Sequence, residues 1–250
     1  LGYGSDLDVV FLYDDSDEAD KDRAQEVYGA FVRKLITWLT LRTAAGELFD
    51  IDTALRPNGN SGLLVTSIHS FERYQVGRGG NTAWTWEHQA LTRARFCAGD
   101  PAVGARFEEI RIEILRQPRD LAKLKEEVVA MRRKMLDAHA LNSDSEFARK
   151  HDPGGIIDVE FIVQYLILAY AHEHARLTGN LGNIALLRMA AELGLIDAGQ
   201  AEAAGNAYRE YRRLQHAKRL SSNPKTPIPR EEVETHISAV RALWEAVFSD

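Results

Sequence analysis

The residues best suited to chemistry are two carboxylate pairs, each spaced i, i+2. Asp6-Leu7-Asp8 leads into the apolar run Val9-Val10-Phe11-Leu12, and Asp50-Ile51-Asp52 follows Glu47-Leu48-Phe49. In a strand, successive side chains alternate faces, so both members of a pair point the same way. Two such strands in one sheet would gather three or four carboxylates at one spot. Carboxylates about 4 Å apart repel by roughly 4 kcal/mol at an effective dielectric near 20, so a cluster of this kind persists only around a cation. An all-oxygen ligand set of high charge selects a hard divalent ion, magnesium or manganese. Gly4 and Ser5 stand just before the first pair. Glycine leaves the backbone open for a phosphate, and the serine hydroxyl can donate to it. The Asp-x-Asp offers a carboxylate to each of two ions, and Asp52 on a neighbouring strand would complete the site. That is the equipment of in-line displacement at phosphorus, where paired ions neutralise the attacking and leaving oxygens. The plainer reading, a solvated strand edge or turn, stays open on the residues alone.

These groups need strands to carry them. Residues 6–13 read as a strand, followed by the acidic loop 14–22. Asp20 or Asp22 can cap a helix starting near Arg23, whose apolar set Val27, Phe31, Leu35, Trp38 and Leu39 recurs at helical spacing. Residues 48–55 and 63–67 read as further strands around the turn Asn58-Gly59-Asn60-Ser61-Gly62, and 71–74 and 84–95 as helical. Beyond Gly99-Asp100-Pro101 only helical periodicity remains, with helices expected over 101–115, 120–140, 156–177, 183–193, 198–220 and 230–248. The division expected is an α/β domain over 1–117 and an all-helical one over 118–250.

A hydrophobic share of 45% and a charged share of 27% belong to a globular protein. The net charge of -6 argues against a non-specific nucleic-acid binder. One cysteine, Cys97, excludes an internal disulfide or a cysteine zinc site and suits the cytosol. The apolar run 156–171 contains Asp158, Glu160 and Gln164 and falls short of the ~20 residues a bilayer needs, so it reads as a buried helix. The chain opens on Leu1-Gly2-Tyr3 without methionine and reads as an excised piece of something longer.

The stretches 1–13 (LGYGSDLDVVFLY), 49–59 (FDIDTALRPNG), 83–95 (AWTWEHQALTRAR) and 154–166 (GGIIDVEFIVQYL) closely resemble the glutamine synthetase adenylyltransferase family. Members of that bifunctional bacterial family carry two nucleotidyltransferase domains of the DNA polymerase β superfamily. The first and third stretches look like the C-terminal, adenylylating half. The resemblance implies an α+β fold, a DNA polymerase β-like palm incomplete at its N-terminus followed by a helical bundle. It implies Asp6, Asp8 and Asp52 as the metal-binding and catalytic carboxylates, two Mg2+ ions with Mn2+ as the alternative, and ATP as substrate. Gly4, Ser5 and Arg56 become nucleotide contacts. AMP would pass to a tyrosine hydroxyl of glutamine synthetase with release of pyrophosphate, in the cytoplasm. Further partners would be the nitrogen signal protein PII, through the full-length enzyme, but neither nucleic acid nor membrane. The family's glycine pair would lie before residue 1, and Ala54 stands where some members carry arginine. The alternatives are phosphorolytic removal of AMP, or a non-catalytic docking fragment for PII or glutamine synthetase.

Other residues carry two readings each. Arg56 could reach a triphosphate or pair with Asp50. Trp84 and Trp86 read as core residues, with adenine stacking as the alternative, and Glu87, Arg93 and Arg95 could line the cleft. His172 and His174, at i, i+2 on a helix, face apart and make a poor joint metal site. Arg132-Arg133-Lys134 and Arg212-Arg213 read as solvated helix faces, Gly154-Gly155 as a turn freeing a buried helix, and Asp158 and Glu160 as candidates for an interface with the first domain.

Overall fold

The computed structural model describes residues 5–16, 20–46, 49–77, 81–139, 146–147, 150–220 and 228–249. The chain divides into two compact units, Leu1–Ile114 and Leu115–Asp250. The first mixes helices with short parallel strands, and the second is nearly all helical.

In the first unit, β1 (Leu7–Asp8) pairs in parallel with β3 (Ile51–Asp52), and β2 (Phe11–Tyr13) pairs in parallel with β4 (Val65–Ser67). The strand expected over 6–13 is therefore two pieces with different neighbours, interrupted at Val9-Val10. The strand expected over 48–55 is Ile51–Asp52 among the described residues, Leu48 lying outside them. Ladder length depends on the partner available, which β-propensity does not reveal.

Helix α1 (Lys21–Leu39) starts where the Asp20 carboxylate accepts the Arg23 N–H at 3.0 Å. Its buried stripe is Ala24, Tyr28, Val32 and Ile36, an i, i+4 repeat packed on Phe11, Tyr13, Leu64 and Val65. The Tyr13 and Tyr28 rings stack at 4.7 Å. Of the apolar set that marks the helix in the sequence, Val27, Phe31 and Trp38 are more than half exposed, while Leu35 and Leu39 are half-buried. Two apolar stripes lie about 100° apart on this helix, and periodicity cannot say which one meets the sheet. Helix α2 (Ile68–Val76) is capped by the Ser67 hydroxyl and ends at Gly77 in the left-handed region (φ +80°). Helices α3 (Thr85–Leu91) and α4 (Pro101–Leu115) follow. Buried Arg111 holds Glu108 (Nη2–Oε1 2.6 Å) and donates to the Leu91 carbonyl at 3.4 Å.

In the second unit, α6 (Ile156–Tyr170) is apolar on nearly every side and packs against α5 (Leu121–His139), α7 (Asn183–Glu192), α8 (Ala198–Arg219) and α9 (Arg230–Phe248). That is the pattern of a central buried helix. Among the described residues no helix is long and apolar enough to cross a membrane. Its N-terminus carries a polar clamp. Arg132 donates through Nε to Asp158 at 2.5 Å and through Nη2 to the His151 carbonyl at 2.7 Å, and Asp158 also accepts the Gly154 N–H at 2.6 Å. Burial pushes the Asp158 carboxyl up, against the pull of Arg132 and the Gly154 N–H. Arg132 is thus a buried partner rather than part of a solvated face, while Arg133 and Lys134 are exposed. Asp158 is engaged inside this unit, as is Glu160, which accepts from the Tyr208 hydroxyl at 3.1 Å. Gly154 sits at φ +88° against Ile237, and its carbonyl accepts from the buried Tyr211 hydroxyl at 2.9 Å.

Two expectations for this half are corrected. The helix expected to reach residue 177 stops at Tyr170, with a 3-10 turn over Ala175–Thr178. A two-residue ladder, β5 (Glu146–Phe147) antiparallel to β6 (Ile228–Pro229), appears where no strand was expected. A ladder so short arises from two remote segments meeting, and neither segment carries a local alternation that announces it.

Candidate active site

Parallel pairing of β1 with β3 sets Asp8 directly opposite Asp52. The register is held by Leu7 N–H to the Asp50 carbonyl and Val9 N–H to the Asp52 carbonyl, both 2.8 Å. Leu7 and Ile51 are partly buried while Asp6, Asp8, Asp50 and Asp52 are all exposed, so the alternation turns both carboxylate pairs to the solvent side. Adjacent strands lie about 4.8 Å apart, so the two residues stand side by side across the ladder. Asp52 is oriented by its own turn: Oδ1 accepts the Ala54 N–H at 2.7 Å. Asp8 and Asp52 are thus exposed, oxygen-only and in register, with Asp6 two residues before Asp8, but the three are not among the described residues whose ligand atoms gather within 4.8 Å of one another. Ser5 is half-buried, and Gly4 lies outside the described residues.

The loop after β3 is built around Arg56, which is 9% exposed. Its Nη1 donates to the Thr53 carbonyl (2.7 Å), the Thr53 hydroxyl (2.8 Å) and Asn60 Oδ1 (3.3 Å), its Nη2 to the Asn60 carbonyl (3.2 Å) and its Nε to the Gly62 carbonyl (3.3 Å). The pairing with Asp50 is not formed, and among the described residues no carboxylate balances this cation. The donors are taken by neutral oxygens of the loop, so Arg56 offers an anion its charge more than its fork of N–H groups.

Across from this loop, α3 departs from expectation. Trp84 is 70% exposed at the helix N-terminus rather than in the core, while Glu87 is 3% exposed. Arg93 and Arg95 are exposed. Glu87 accepts from the Tyr74 hydroxyl at 2.9 Å and from the Trp84 N–H at 2.7 Å, and burial pushes its carboxyl above the usual range against those two donors.

One further grouping escaped the sequence reading. Among the described residues, Asp14, Asp15 and His69 bring one ligand atom each within 4.8 Å of one another. Asp14 and Asp15 follow β2, and His69 lies in the first turn after β4, so the parallel β2–β4 pairing brings them together. Asp15 is buried and lies 2.5 Å from His69 Nδ1, while Asp14 is exposed and kept low in pKa by hydrogen bonds from Ser16. Carboxylate and imidazole ligands together suit a softer ion than oxygen alone. The acidic run gave half of this signal; a histidine 54 positions away gave no sign of being its neighbour.

Comparison with known proteins adds a resemblance. Residues 1–110 match the model of glutamate-ammonia ligase adenylyltransferase, and residues 122–227 match that of GlnD PII-uridylyltransferase. A bifunctional glutamine synthetase adenylyltransferase/adenylyl-removing enzyme from Aromatoleum aromaticum is 57% identical over 248 residues, 99% of this chain and 25% of its own length. Proteins of the same name from Ralstonia nicotianae (57% over 248 residues, 99% of this chain and 25% of its own length) and Bordetella bronchiseptica (49% over 250 residues, 100% and 26%) are similar to it as well. The chain spans about a quarter of the length of the curated relatives it matches.

Proposed function

We propose that the chain, similar over residues 1–110 to the glutamate-ammonia ligase adenylyltransferase model and 57% identical to the bifunctional enzyme of Aromatoleum aromaticum, transfers AMP from ATP to a tyrosine hydroxyl of glutamine synthetase, releasing pyrophosphate. The first unit is then a nucleotidyltransferase palm of the DNA polymerase β type and the second a helical bundle joined to it. The observation that carries this reading is the register that sets Asp8 opposite Asp52. Asp6, Asp8 and Asp52 are the residues to hold magnesium or manganese. A divalent ion held there would neutralise phosphoryl charge and favour the acceptor's phenolate, which at pH 7 is only about one part in a thousand of a free tyrosine. Ser5 is the residue to meet the phosphates, its hydroxyl donating to an oxygen, with Gly4 beside it in sequence as the other nucleotide contact. Arg56 supplies buried positive charge behind the triphosphate, held in place by Thr53, Asn60 and Gly62. The setting is the cytoplasm, and the direction is adenylylation rather than AMP removal.

A second reading has a specific observation behind it, the match of residues 122–227 to a PII-uridylyltransferase model. In it, the helical unit docks the signal protein PII or glutamine synthetase, and the carboxylates are dispensable.

The test is transfer from α-labelled ATP to purified glutamine synthetase with magnesium, comparing the chain with its Asp8→Asn variant. Label on the acceptor, lost in the variant, is the expected result. Equal labelling by both would overturn the assigned site. Phosphate-dependent release of AMP without transfer would assign the opposite activity, and binding of the protein partner with no nucleotide chemistry would favour the docking reading.

A further inference from the structure

A chain of hydrogen bonds, buried at its Tyr74–Glu87 end, joins the loop after β3 to helices α2 and α3. Both Glu87 oxygens lie 2.9 Å from the Tyr74 hydroxyl, and Oε2 also accepts the Trp84 N–H at 2.7 Å. The Tyr74 oxygen in turn accepts the Asn58 N–H at 3.3 Å, and Asn58 Oδ1 accepts from Asn81 Nδ2 at 2.7 Å. Asn58 is the one described non-glycine residue with a positive φ, +62°. Backbone of this kind persists where surrounding contacts over-determine it, and it gathers at ligand clamps. From Asn58 the chain enters the turn Gly59–Ser61, and Asn60 and Gly62 provide three of the oxygens that hold Arg56. The loop has no slack, for a Cβ on Gly62 would fall 1.9 Å from the Pro57 carbonyl oxygen. A carboxylate is expensive to bury, and Glu87 sits where an apolar side chain would pack more cheaply. What its acceptor oxygens secure is the placement of Tyr74 and, through it, of Asn58.

We propose that Tyr74 and Glu87 are positioning residues for the nucleotide. They clamp the Arg56–Gly62 loop at the end of β3, so that the Arg56 charge and the Asp52 carboxylate keep a fixed relation to the phosphates of a nucleoside triphosphate. The inference rests on the nucleotidyltransferase reading above and deepens it, since neither residue touches the substrate.

The test uses the full chain and its Tyr74→Phe variant, which removes one oxygen and keeps the ring. Three quantities are measured: hydrogen exchange of the amides over 58–62, KM for ATP, and kcat in AMP transfer with magnesium. The expected result is exchange at least tenfold faster over 58–62 and unchanged in α6 and α8. KM for ATP should rise about tenfold while kcat stays within threefold. Glu87→Gln, which keeps an acceptor for Tyr74, should recover most of the KM that Glu87→Ala loses. General damage to folding would lower the active fraction, and hence kcat, with KM untouched, and that result overturns the inference. So does faster exchange with unchanged KM, or exchange that does not change. A parent chain that neither binds ATP nor transfers AMP overturns the proposed function and this inference together. An active parent whose Tyr74→Phe variant keeps its KM overturns this inference alone.

Discussion

Replacing Asp8 by asparagine should stabilise the ion-free protein and cost it most of its response to magnesium. Asp8 and Asp52 face each other in register on strands about 4.8 Å apart. Their repulsion is then roughly 3.5 kcal/mol at an effective dielectric of 20 and roughly 0.9 kcal/mol at that of water. Both side chains are exposed, so the lower figure governs. Asp8→Asn should gain about 1 kcal/mol in chelator at low salt, shrinking in 1 M salt, where the Debye length falls to about 3 Å. Magnesium at a hundredfold excess over its dissociation constant adds about 2.7 kcal/mol to a protein that binds it only when folded. The order of stability should therefore reverse: the variant ahead in chelator, the parent ahead with magnesium. Urea unfolding of both proteins, with and without the ion, reads this directly. Equal stabilisation of both by magnesium would refute the reasoning, as would an Asp8→Asn variant weaker than the parent in chelator. If Asp14→Asn rather than Asp8→Asn abolished the magnesium effect, the ion would belong to the Asp14–Asp15–His69 group.

Two further predictions concern the helical unit. Gly154→Ala places a Cβ 2.8 Å from Ile237 Cγ2 and 2.9 Å from its carbonyl oxygen at φ +88°; a loss of about 2–3 kcal/mol is expected in urea unfolding, with the first unit's cooperative transition unchanged. Arg132→Met leaves the buried Asp158 unpaired and should cost about 3–5 kcal/mol at pH 7. Burial already raises the Asp158 carboxyl, and removing the guanidinium raises it further. A raised carboxyl contributes its stability below its unfolded pKa, near 4, and loses it as pH rises through the folded value. Because the unfolded chains titrate alike, the deficit of the variant relative to the parent should stay level at acid pH and grow only once the pH passes the parent's own raised folded value, which urea midpoints from acid to neutral pH will read. A deficit independent of pH would sink this account.

Local chemistry decided a good deal. Helix starts at Pro101, Ile156, Asn183, Ala198 and Arg230 stand where periodicity and breakers put them, because capping, glycine and proline act within a few residues. Asp20 caps α1 for the same reason. The shared side of each carboxylate pair follows from the two-residue repeat of a strand. The motifs 1–13, 49–59, 83–95 and 154–166 carried the resemblance. What they could not carry were relations between residues distant in the chain. Only strand pairing set Asp8 against Asp52 and brought His69 to Asp15. Only the rotation of α1 on its sheet decided that Val32 is buried and Phe31 is not. The pairing of Arg132 with Asp158, the exposure of Trp84 and the inward fold of the Arg56 guanidinium belong with these. Register and helix rotation are settled by burial summed over the whole core. A charged or aromatic residue on an otherwise ambiguous face therefore learns its role only when the core has packed.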